Sequence, residues 1–416
     1  MFLKTLPNGL KIAFMQNPTV HSVAINLFIG CGSIDETDKT CGAAHFLEHM
    51  LFKGTERFGN RELSEKMDKL GGQFNAYTTK EYTCIFCNVT TYDFREALEI
   101  VLEMATAPKI DAGELDTERG VIIEEINMYE DSPEDCAADS ISEVIFKNCG
   151  LKHKILGNPN TVNNFSVENL KNHHKKYYAP ERMVLSVCGN FIESDAYDLI
   201  EQYLSPLKNT GFPIQREKAE FSQGISLKEK DFEQSQIVIA APSCALGDPK
   251  RYATSVYSAI VGGNSSSHLN MHIREKLGLA YSIYSYPVSY TPMGTFLITA
   301  GTSHKNHVKV IEEILKITDN VCDKITEQEL ERVKSQYRAT SVLGNESVSA
   351  LSATMGREIL FKGRYTPIPE VIEKINALTL DDIFAVHKEI WQREKLALCV
   401  VGKPKSLETY KKLGFN

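Results

Sequence analysis

The sequence has no long apolar run and no secretory start. No stretch of about eighteen apolar residues occurs, so we predict no membrane span. The opening residues, MFLKTLPNGLKIAF, contain no extended apolar segment, and we therefore expect no signal peptide. Lysine and arginine do not cluster, and the formal net charge of −8 is mild. These features give no reason to expect a nucleic-acid partner or a membrane partner.

The ten cysteines show no spacing typical of a disulfide framework. Without an export signal, this indicates reduced thiols and a cytoplasmic location. One C-x-x-C pair occurs, Cys84 and Cys87 in YTCIFCNVT. Its β-branched and aromatic neighbours predict a strand, where positions three apart face opposite sides. We therefore interpret the pair as core thiols and not as a redox or metal pair.

A distant internal repeat divides the chain. Leu70-Gly71 and Leu277-Gly278 match at an offset of 207, and Gly189 and Gly402, which end two β-rich runs, lie 213 apart. Both halves continue from Leu-Gly into β-rich segments and then into helical patterns. Such steady offsets indicate two copies of one supersecondary arrangement.

The repeat predicts the α+β class with two homologous domains. Each domain should be a mainly antiparallel sheet with helices packed on one face. We place the first domain at residues 1–205 and the second at 225–416. Residues 206–224 are rich in proline, glycine and charge, and we interpret them as a linker.

The stretch AAHFLEHMLFKGT, residues 43–55, predicts a buried helix that carries three polar side chains. Its apolar residues leave almost no polar face, and Gly54 is a natural C-terminal stop. His45, Glu48 and His49 share one patch because they lie at i, i+3 and i+4. Burying such groups is costly without partners, and a zinc ion would supply one. A carboxylate between two ligand imidazoles could take a proton from the metal-bound water.

A third protein ligand is expected on the helix predicted within GELDTERGVIIEEINMYED, residues 113–131. The face of this helix that is predicted to be a buried stripe consists of Leu115, Glu118, Ile122, Glu125 and Tyr129, so two glutamates lie among apolar residues. The two glutamates lie about 10.5 Å apart along the axis, so one could ligate zinc while the other orients a ligand histidine. Glu124 lies off the stripe and is the weaker candidate.

These motifs resemble the pitrilysin/insulinase family of zinc peptidases, whose zinc motif is inverted. The likeness covers nearly the whole chain and is greatest to the short bacterial members and to the mitochondrial processing peptidase β subunit. HFLEH supplies His45 and His49, with Glu48 as general base. ERGVIIEE places the family's third ligand at Glu125, 76 residues after His49, and its second-shell carboxylate at Glu118. The resemblance implies one Zn²⁺ per chain.

The second half also resembles the family, through the R-x(6)-Y element of Arg274 and Tyr281. The resemblance implies that Tyr281 stabilises the oxyanion and that Arg274 holds the substrate backbone. The stretch GGQFNAYTTKEYT resembles the family's substrate-binding strand, which is formed here by Phe74, Asn75 and Ala76.

Two further histidine pairs are not interpreted as metal ligands. His268 and His272 lie at i and i+4 but have no glutamate between them and no matching ligand helix, so we expect satisfied or solvated imidazoles. His173 and His174 lie in the basic stretch NLKNHHKKYY and are expected at the surface.

The predicted activity is that of a zinc endopeptidase acting on peptides or unfolded segments in an enclosed chamber. Family members with four such domains enclose a chamber within one chain, so two domains imply a dimer. Both site elements are present in this chain, which favours a homodimer over a heterodimer with a homologous subunit. The alternatives are a leader-peptide processing subunit that works with a partner and a catalytically silent assembly protein of the same fold.

Overall fold

The computed structural model describes residues 1–147, 149–216 and 218–416. These residues form two compact units, each assembled from three chain segments. The first unit comprises Met1–Asn127, His153–Gln215 and Val342–Thr366. The second unit comprises Met128–Lys152, Arg216–Ser341 and Pro367–Asn416. The predicted domains at residues 1–205 and 225–416 describe the two copies of the internal repeat, and these boundaries stay a prediction.

The sheet of the first unit has strand order β1-β2-β6-β3-β5-β4. Only the pair β2–β6 is parallel; the other pairs are antiparallel. The strands are β1 Phe2–Thr5, β2 Lys11–Gln16, β3 Ser22–Ile29, β4 Gln73–Thr78, β5 Thr83–Thr90 and β6 Met183–Gly189.

The sheet of the second unit has strand order β7-β11-β8-β10-β9, with β7–β11 as its parallel pair. Its strands are β7 Gly224–Glu229, β8 Ser235–Ser243, β9 Ser282–Ser289, β10 Gly294–Thr302 and β11 Ala397–Gly402. This order repeats that of β2-β6-β3-β5-β4. The predicted pair of mainly antiparallel sheets with a common topology is therefore confirmed.

Most helices pack on one face of each sheet, where they bury the two large apolar cores. From the first half of the chain they are α1 Ala43–Leu51, α2 Asn60–Leu70, α3 Phe94–Thr106, α4 Ala112–Glu130, α5 Pro133–Ile145, α6 Pro159–Asn164, α7 Val167–Tyr177 and α8 Glu193–Tyr203. From the second half they are α9 Arg251–Val261, α10 His307–Asp319, α11 Glu327–Leu343, α12 Val348–Lys362, α13 Ile368–Asn376, α14 Leu380–Ile390 and α15 Leu407–Lys411. No helix in the described part of the chain is long and apolar enough to cross a membrane.

The matched Leu-Gly pairs have matching local structure. Gly71 ends α2 with φ +63°, and Gly278 follows a π-helical segment, Asn270–Lys276, with φ +59°. Both glycines adopt the left-handed conformation, which side chains with a Cβ rarely take. An edge strand follows each glycine, β4 in the first unit and β9 in the second. The offset in the sequence thus reflects one helix-to-strand turn used twice.

The two halves also exchange a helix, which the sequence interpretation did not predict. Helix α12, from the second half of the chain, packs on β2, β3 and β6 of the first unit. Helix α5, from the first half, packs on β7, β8 and β11 of the second unit. Each sheet is therefore covered in part on the face opposite its main helices, and the expectation of helices on one face was incomplete.

The C-x-x-C pair lies within β5 with both side chains buried. Cys84 belongs to the cluster beneath α12, whereas Cys87 belongs to the main core of the first unit. The two thiols thus face opposite sides of the sheet, as predicted. Burial raises the pKa of both thiols far above the usual range, which suits inert core residues.

Candidate metal centre

Helix α1 is fixed at its start by a carboxylate from an earlier loop. Its N-cap residue, Gly42, has φ +94° and supplies no side-chain cap. Glu36, 6 % exposed, substitutes for the missing cap. Its two carboxylate oxygens accept hydrogen bonds from Gly42 N–H at 2.8 Å and Ala44 N–H at 2.7 Å. These bonds satisfy two otherwise unpaired N–H groups at the helix N-terminus. Burial raises the pKa of Glu36 to about 8, although both hydrogen bonds oppose the rise.

The predicted metal ligands converge in the first unit. His45 Nε2 and His49 Nε2, both from α1, each lie 3.5 Å from Oε2 of Glu125 on α4. A ligand atom from each residue lies within 4.8 Å of the others, and no second group of this kind occurs among the described residues. Glu125 is half-buried, whereas Glu124 is exposed and does not belong to the group.

The donor set and its spacing fit a tetrahedral metal. Donor atoms about 2.1 Å from a tetrahedral ion would lie about 3.4 Å apart. The two measured imidazole–carboxylate distances of 3.5 Å agree with that value. Two imidazoles and one carboxylate form a His₂Glu set, which leaves a fourth position open in catalytic zinc sites. These three residues could therefore hold a zinc ion.

Electrostatics favour the protonation states that a metal requires at His45 and Glu125 but not at His49. Burial, with the neighbouring His49, lowers the pKa of His45 to about 4, although Glu125 opposes the shift. The bond to His49 holds the pKa of Glu125 below its usual range. Burial would lower the pKa of His49, but hydrogen bonds to Glu125 and Glu118 outweigh it and raise that pKa. At neutral pH the site thus offers a neutral His45 and an ionised Glu125.

Glu118 lies behind His49, on the buried stripe of α4. His49 Nδ1 donates to Glu118 Oε2 at 2.9 Å, which leaves Nε2 directed at Glu125. Lys53 Nζ contacts the other oxygen of Glu118 at 2.5 Å. The sequence interpretation missed Lys53, although it lies at i+4 from His49. The same stripe placed Tyr129 inside, but the structure leaves it 37 % exposed.

Glu48 projects from α1 toward strand β4. Its Oε2 accepts a hydrogen bond from Thr78 Oγ1 at 2.5 Å, and the backbone of Thr78 also hydrogen-bonds to this carboxylate. Burial raises the pKa of Glu48, and the Thr78 hydrogen bond opposes part of that rise. A carboxylate in this setting suits proton transfer near neutral pH. Thr78 was missed because only the packing of β4 against α1 brings it to Glu48.

The predicted substrate strand is the outer strand of its sheet. Strand β4 pairs only with β5, so its other edge is unpaired among the described strands. Ala76 N–H donates to the side chain of Asn75 at 2.8 Å. Phe74 is half-buried, Asn75 is exposed and Ala76 is buried. This edge has the geometry required for pairing with an extended peptide.

Arg274 and Tyr281 lie in the second unit and do not belong to the ligand group. Arg274 lies on the π-helical segment, and its side chain is 47 % exposed. Tyr281 precedes β9, is 79 % exposed and donates its backbone N–H to Gly301 at 3.0 Å. Both polar groups are accessible to solvent, and their predicted roles stay predictions.

The second unit's histidine pair faces carboxylates. His272 Nε2 lies 3.0 Å from Glu313, and His268 Nε2 lies 3.3 Å from Glu329. His272 thus has a hydrogen-bonding partner, whereas His268 Nε2 lies near Glu329 without a hydrogen bond. That neither histidine binds a metal stays a prediction. The sequence reading did not identify either carboxylate as the partner.

The expectation that His173 and His174 lie at the surface was wrong. His173 is 9 % exposed and contacts Cys31 Sγ at 3.5 Å, and His174 donates to the carbonyl of Ala105 at 2.8 Å. The spacing of Leu170, His173 and Tyr177, all buried on α7, could have indicated an inward face. Burial lowers the pKa of His173 to about 3.

Comparisons with known proteins agree with these motifs. Residues 11–159 match the family model described as Insulinase (Peptidase family M16), and residues 164–337 match that described as Peptidase M16 inactive domain. A Bacillus subtilis protein named "Uncharacterized zinc protease YmxG" is 35 % identical over 400 residues, covering 96 % of this chain and 97 % of its own. A similarly named zinc protease of Streptomyces coelicolor is 32 % identical, covering 96 % and 88 %.

Solved structures share the whole fold. A protease from Helicobacter pylori superposes with a TM-score of 0.90 at 20 % identity, covering 97 % of this chain and 99 % of that one. A peptidase M16 inactive domain from Pseudomonas fluorescens gives a TM-score of 0.89 at 19 % identity, covering 97 % and 98 %. At these identities the likeness establishes the architecture of two similar sheets with their helices.

Proposed function

Because the chain belongs to the pitrilysin/insulinase family of zinc metallopeptidases, we propose that it is a zinc-dependent endopeptidase that hydrolyses peptides or unfolded segments. The observation behind this proposal is that His45, His49 and Glu125 converge, and that Glu48 lies on α1 with the two histidines. One Zn²⁺ per chain would be held by these three side chains. When bound, zinc polarises a carbonyl and makes water acidic enough to attack near neutral pH.

Glu48 is the proposed general base. It takes the proton from the attacking water and later passes it to the leaving amine. The hydrogen bonds from Thr78 would hold the Glu48 carboxylate in place for this transfer. Glu118 keeps His49 oriented through its Nδ1–H, as outer carboxylates do in zinc sites.

The edge strand β4 is the proposed binding surface for the peptide backbone. A carbonyl of the incoming strand would accept a hydrogen bond from Ala76 N–H, which now donates to the Asn75 side chain. Peptide addition to a sheet edge gives affinity through main-chain hydrogen bonds, so it suits many sequences. Phe74, Asn75 and Ala76 would then position the scissile bond.

Arg274 and Tyr281 are the proposed substrate and oxyanion residues of the second unit. The Tyr281 hydroxyl would donate to the carbonyl oxygen as negative charge develops there, and Arg274 would hold the substrate backbone nearby. Their exposure in the structure leaves both groups accessible to such a ligand.

We further propose a homodimer that encloses the substrate in a chamber, because both site elements are present in one chain. A heterodimer with a homologous subunit is the alternative. The proposed cytoplasmic location is supported by the ten cysteines, none of which forms a disulfide in the described part of the chain. The silent-assembly alternative is disfavoured by the intact ligand group, whereas leader-peptide processing differs from general turnover only in substrate.

The proposal is tested by assaying cleavage of a quenched fluorescent peptide library by wild type and Glu48→Gln, with zinc counted in both proteins. We expect wild type to cleave and Glu48→Gln to bind one equivalent of zinc without cleaving. Zinc binding without cleavage by wild type would favour a dedicated leader peptide or a missing partner subunit. Equal cleavage by both proteins would refute the role of Glu48.

A further inference from the structure

Lys53 is joined to the candidate metal centre through a short chain of contacts. Its Nζ lies 2.5 Å from Oε1 of Glu118, and Oε2 of the same carboxylate lies 2.9 Å from His49 Nδ1. The opposite ring nitrogen of His49 faces Glu125. Lys53 thus contacts no ligand itself but holds the carboxylate that orients one.

Glu118 needs a cationic partner because it is 4 % exposed on the buried stripe of α4. A buried carboxylate without a partner carries a large desolvation cost and would turn or change state to reduce it. Lys53 is the only lysine or arginine that forms an ion pair with Glu118 in the described part of the chain. The Lys53 side chain is 24 % exposed, so this ion pair lies near the surface of its unit.

The backbone holds Lys53 in a fixed place. Its N–H donates to Met50 O at 3.1 Å, just beyond the end of α1. Gly54 follows with φ +111°, and its carbonyl accepts the N–H of Lys109 at 3.0 Å. A Cβ at Gly54 would lie 2.9 Å from Phe58 O, so the glycine permits this close turn. The turn sets the root of the Lys53 side chain beside α4.

We propose that Lys53 is a positioning residue for metal binding. Lys53 holds Oε1 of Glu118, so that Oε2 stays directed at His49 Nδ1–H. This hydrogen bond in turn keeps His49 Nε2 directed toward the proposed metal position. This inference rests on the proposed function, since it concerns the zinc affinity of that same site. Loss of an outer-shell partner typically weakens metal binding about 10- to 100-fold, and Lys53 acts one contact further out.

The experiment is a double-mutant cycle on zinc affinity, measured by competition with a chromophoric chelator. The proteins are wild type, Lys53→Met, Glu118→Gln and the double variant. Lys66→Met is a matched control, because Lys66 forms an ion pair with Glu96 at 3.4 Å in the same unit, away from the ligands. Circular dichroism of the metal-free proteins verifies folding. Lys53→Gln, which can still donate without charge, replaces the methionine variant if that does not fold.

We expect Lys53→Met to raise the zinc Kd about three- to tenfold in the wild-type background and less than twofold in the Glu118→Gln background. Lys66→Met should leave the Kd within about twofold, and Lys53→Arg should restore most of the affinity. The inference is overturned if Lys53→Met leaves the Kd unchanged, or if its effect is equally large without Glu118. Wild type that binds no zinc would instead overturn the proposed function itself.

Discussion

Replacing Gly356 by alanine should destabilise the first unit, whereas the same change at Gly120 should stabilise it. Both glycines lie inside helices, Gly356 in α12 and Gly120 in α4. A Cβ at Gly356 would lie 2.4 Å from Phe28 Cε2 and 2.9 Å from Ser186 Cβ, whereas a Cβ at Gly120 would meet nothing within 4 Å. The pair therefore separates the packing of α12 from helix propensity.

The magnitudes follow from two opposing effects. Alanine in a helix interior is favoured over glycine by about 1 kcal/mol, and this gain applies at both positions. At Gly356 the Cβ would lie about 1 Å inside normal contact distance of a fully buried ring on β3, and such overpacking costs about 1–3 kcal/mol. We expect Gly120→Ala to stabilise the protein by about 1 kcal/mol and Gly356→Ala to destabilise it by up to about 2 kcal/mol.

The assay is urea denaturation of the zinc-loaded proteins followed by far-UV circular dichroism. Trp391, the chain's only tryptophan, lies in the second unit, so its fluorescence reports on that unit separately. If Gly356→Ala stabilises the protein as much as Gly120→Ala, then α12 does not pack against β3 and β6 as the structure has it.

Three further predictions concern the helix cap, the buried histidine and the proposed oxyanion donor. Glu36→Gln should lower the free energy of unfolding by about 2 kcal/mol in urea denaturation, because one N–H at the start of α1 would face an amide NH₂. An unchanged urea midpoint would show that Glu36 does not cap this helix. His173 has a folded pKa of about 3 against 6.5 unfolded, so the unfolded state binds more protons below neutrality. Unfolding free energy should fall by about 2 kcal/mol from this residue between pH 7 and pH 5, and His173→Gln should remove that part of the slope. Tyr281→Phe should lower kcat about 100-fold with unchanged zinc content. A loss of less than twofold would show that the Tyr281 hydroxyl does not stabilise the oxyanion.

The candidate site was largely predictable because its signals are local and periodic. His45, Glu48 and His49 share a face by helical spacing alone, and the stripe on α4 brought Glu118 and Glu125 into consideration together. Helical periodicity did not decide which glutamate was the ligand; the family motif made that assignment. In the structure Glu125 faces both imidazoles, whereas Glu118 faces the back of His49.

The contacts that sequence reasoning missed depend on pairing between distant segments. The α12 contact is an example: Ser352 Oγ donates to Ser186 O at 3.0 Å and accepts from Asn26 Nδ2 at 2.9 Å, all fully or almost fully buried. Serine and glycine on α12 allow close approach to a sheet, but nothing in the sequence specifies which sheet. Thr78 also reaches α1 from a distance, 30 residues after Glu48. Glu36 is different, because it lies only six and eight residues before the N–H groups that it caps.

Zinc K-edge X-ray absorption on protein loaded with one equivalent of Zn²⁺ tests the central claim most directly. The chain offers ten thiols as competing ligands, and sulfur and nitrogen ligands differ in distance, at about 2.3 Å and 2.0–2.1 Å. The ligand group of His45, His49 and Glu125 predicts a shell of nitrogen and oxygen only, with outer scattering from two imidazoles. A sulfur shell, or the scattering of a single imidazole, would contradict the proposed metal centre.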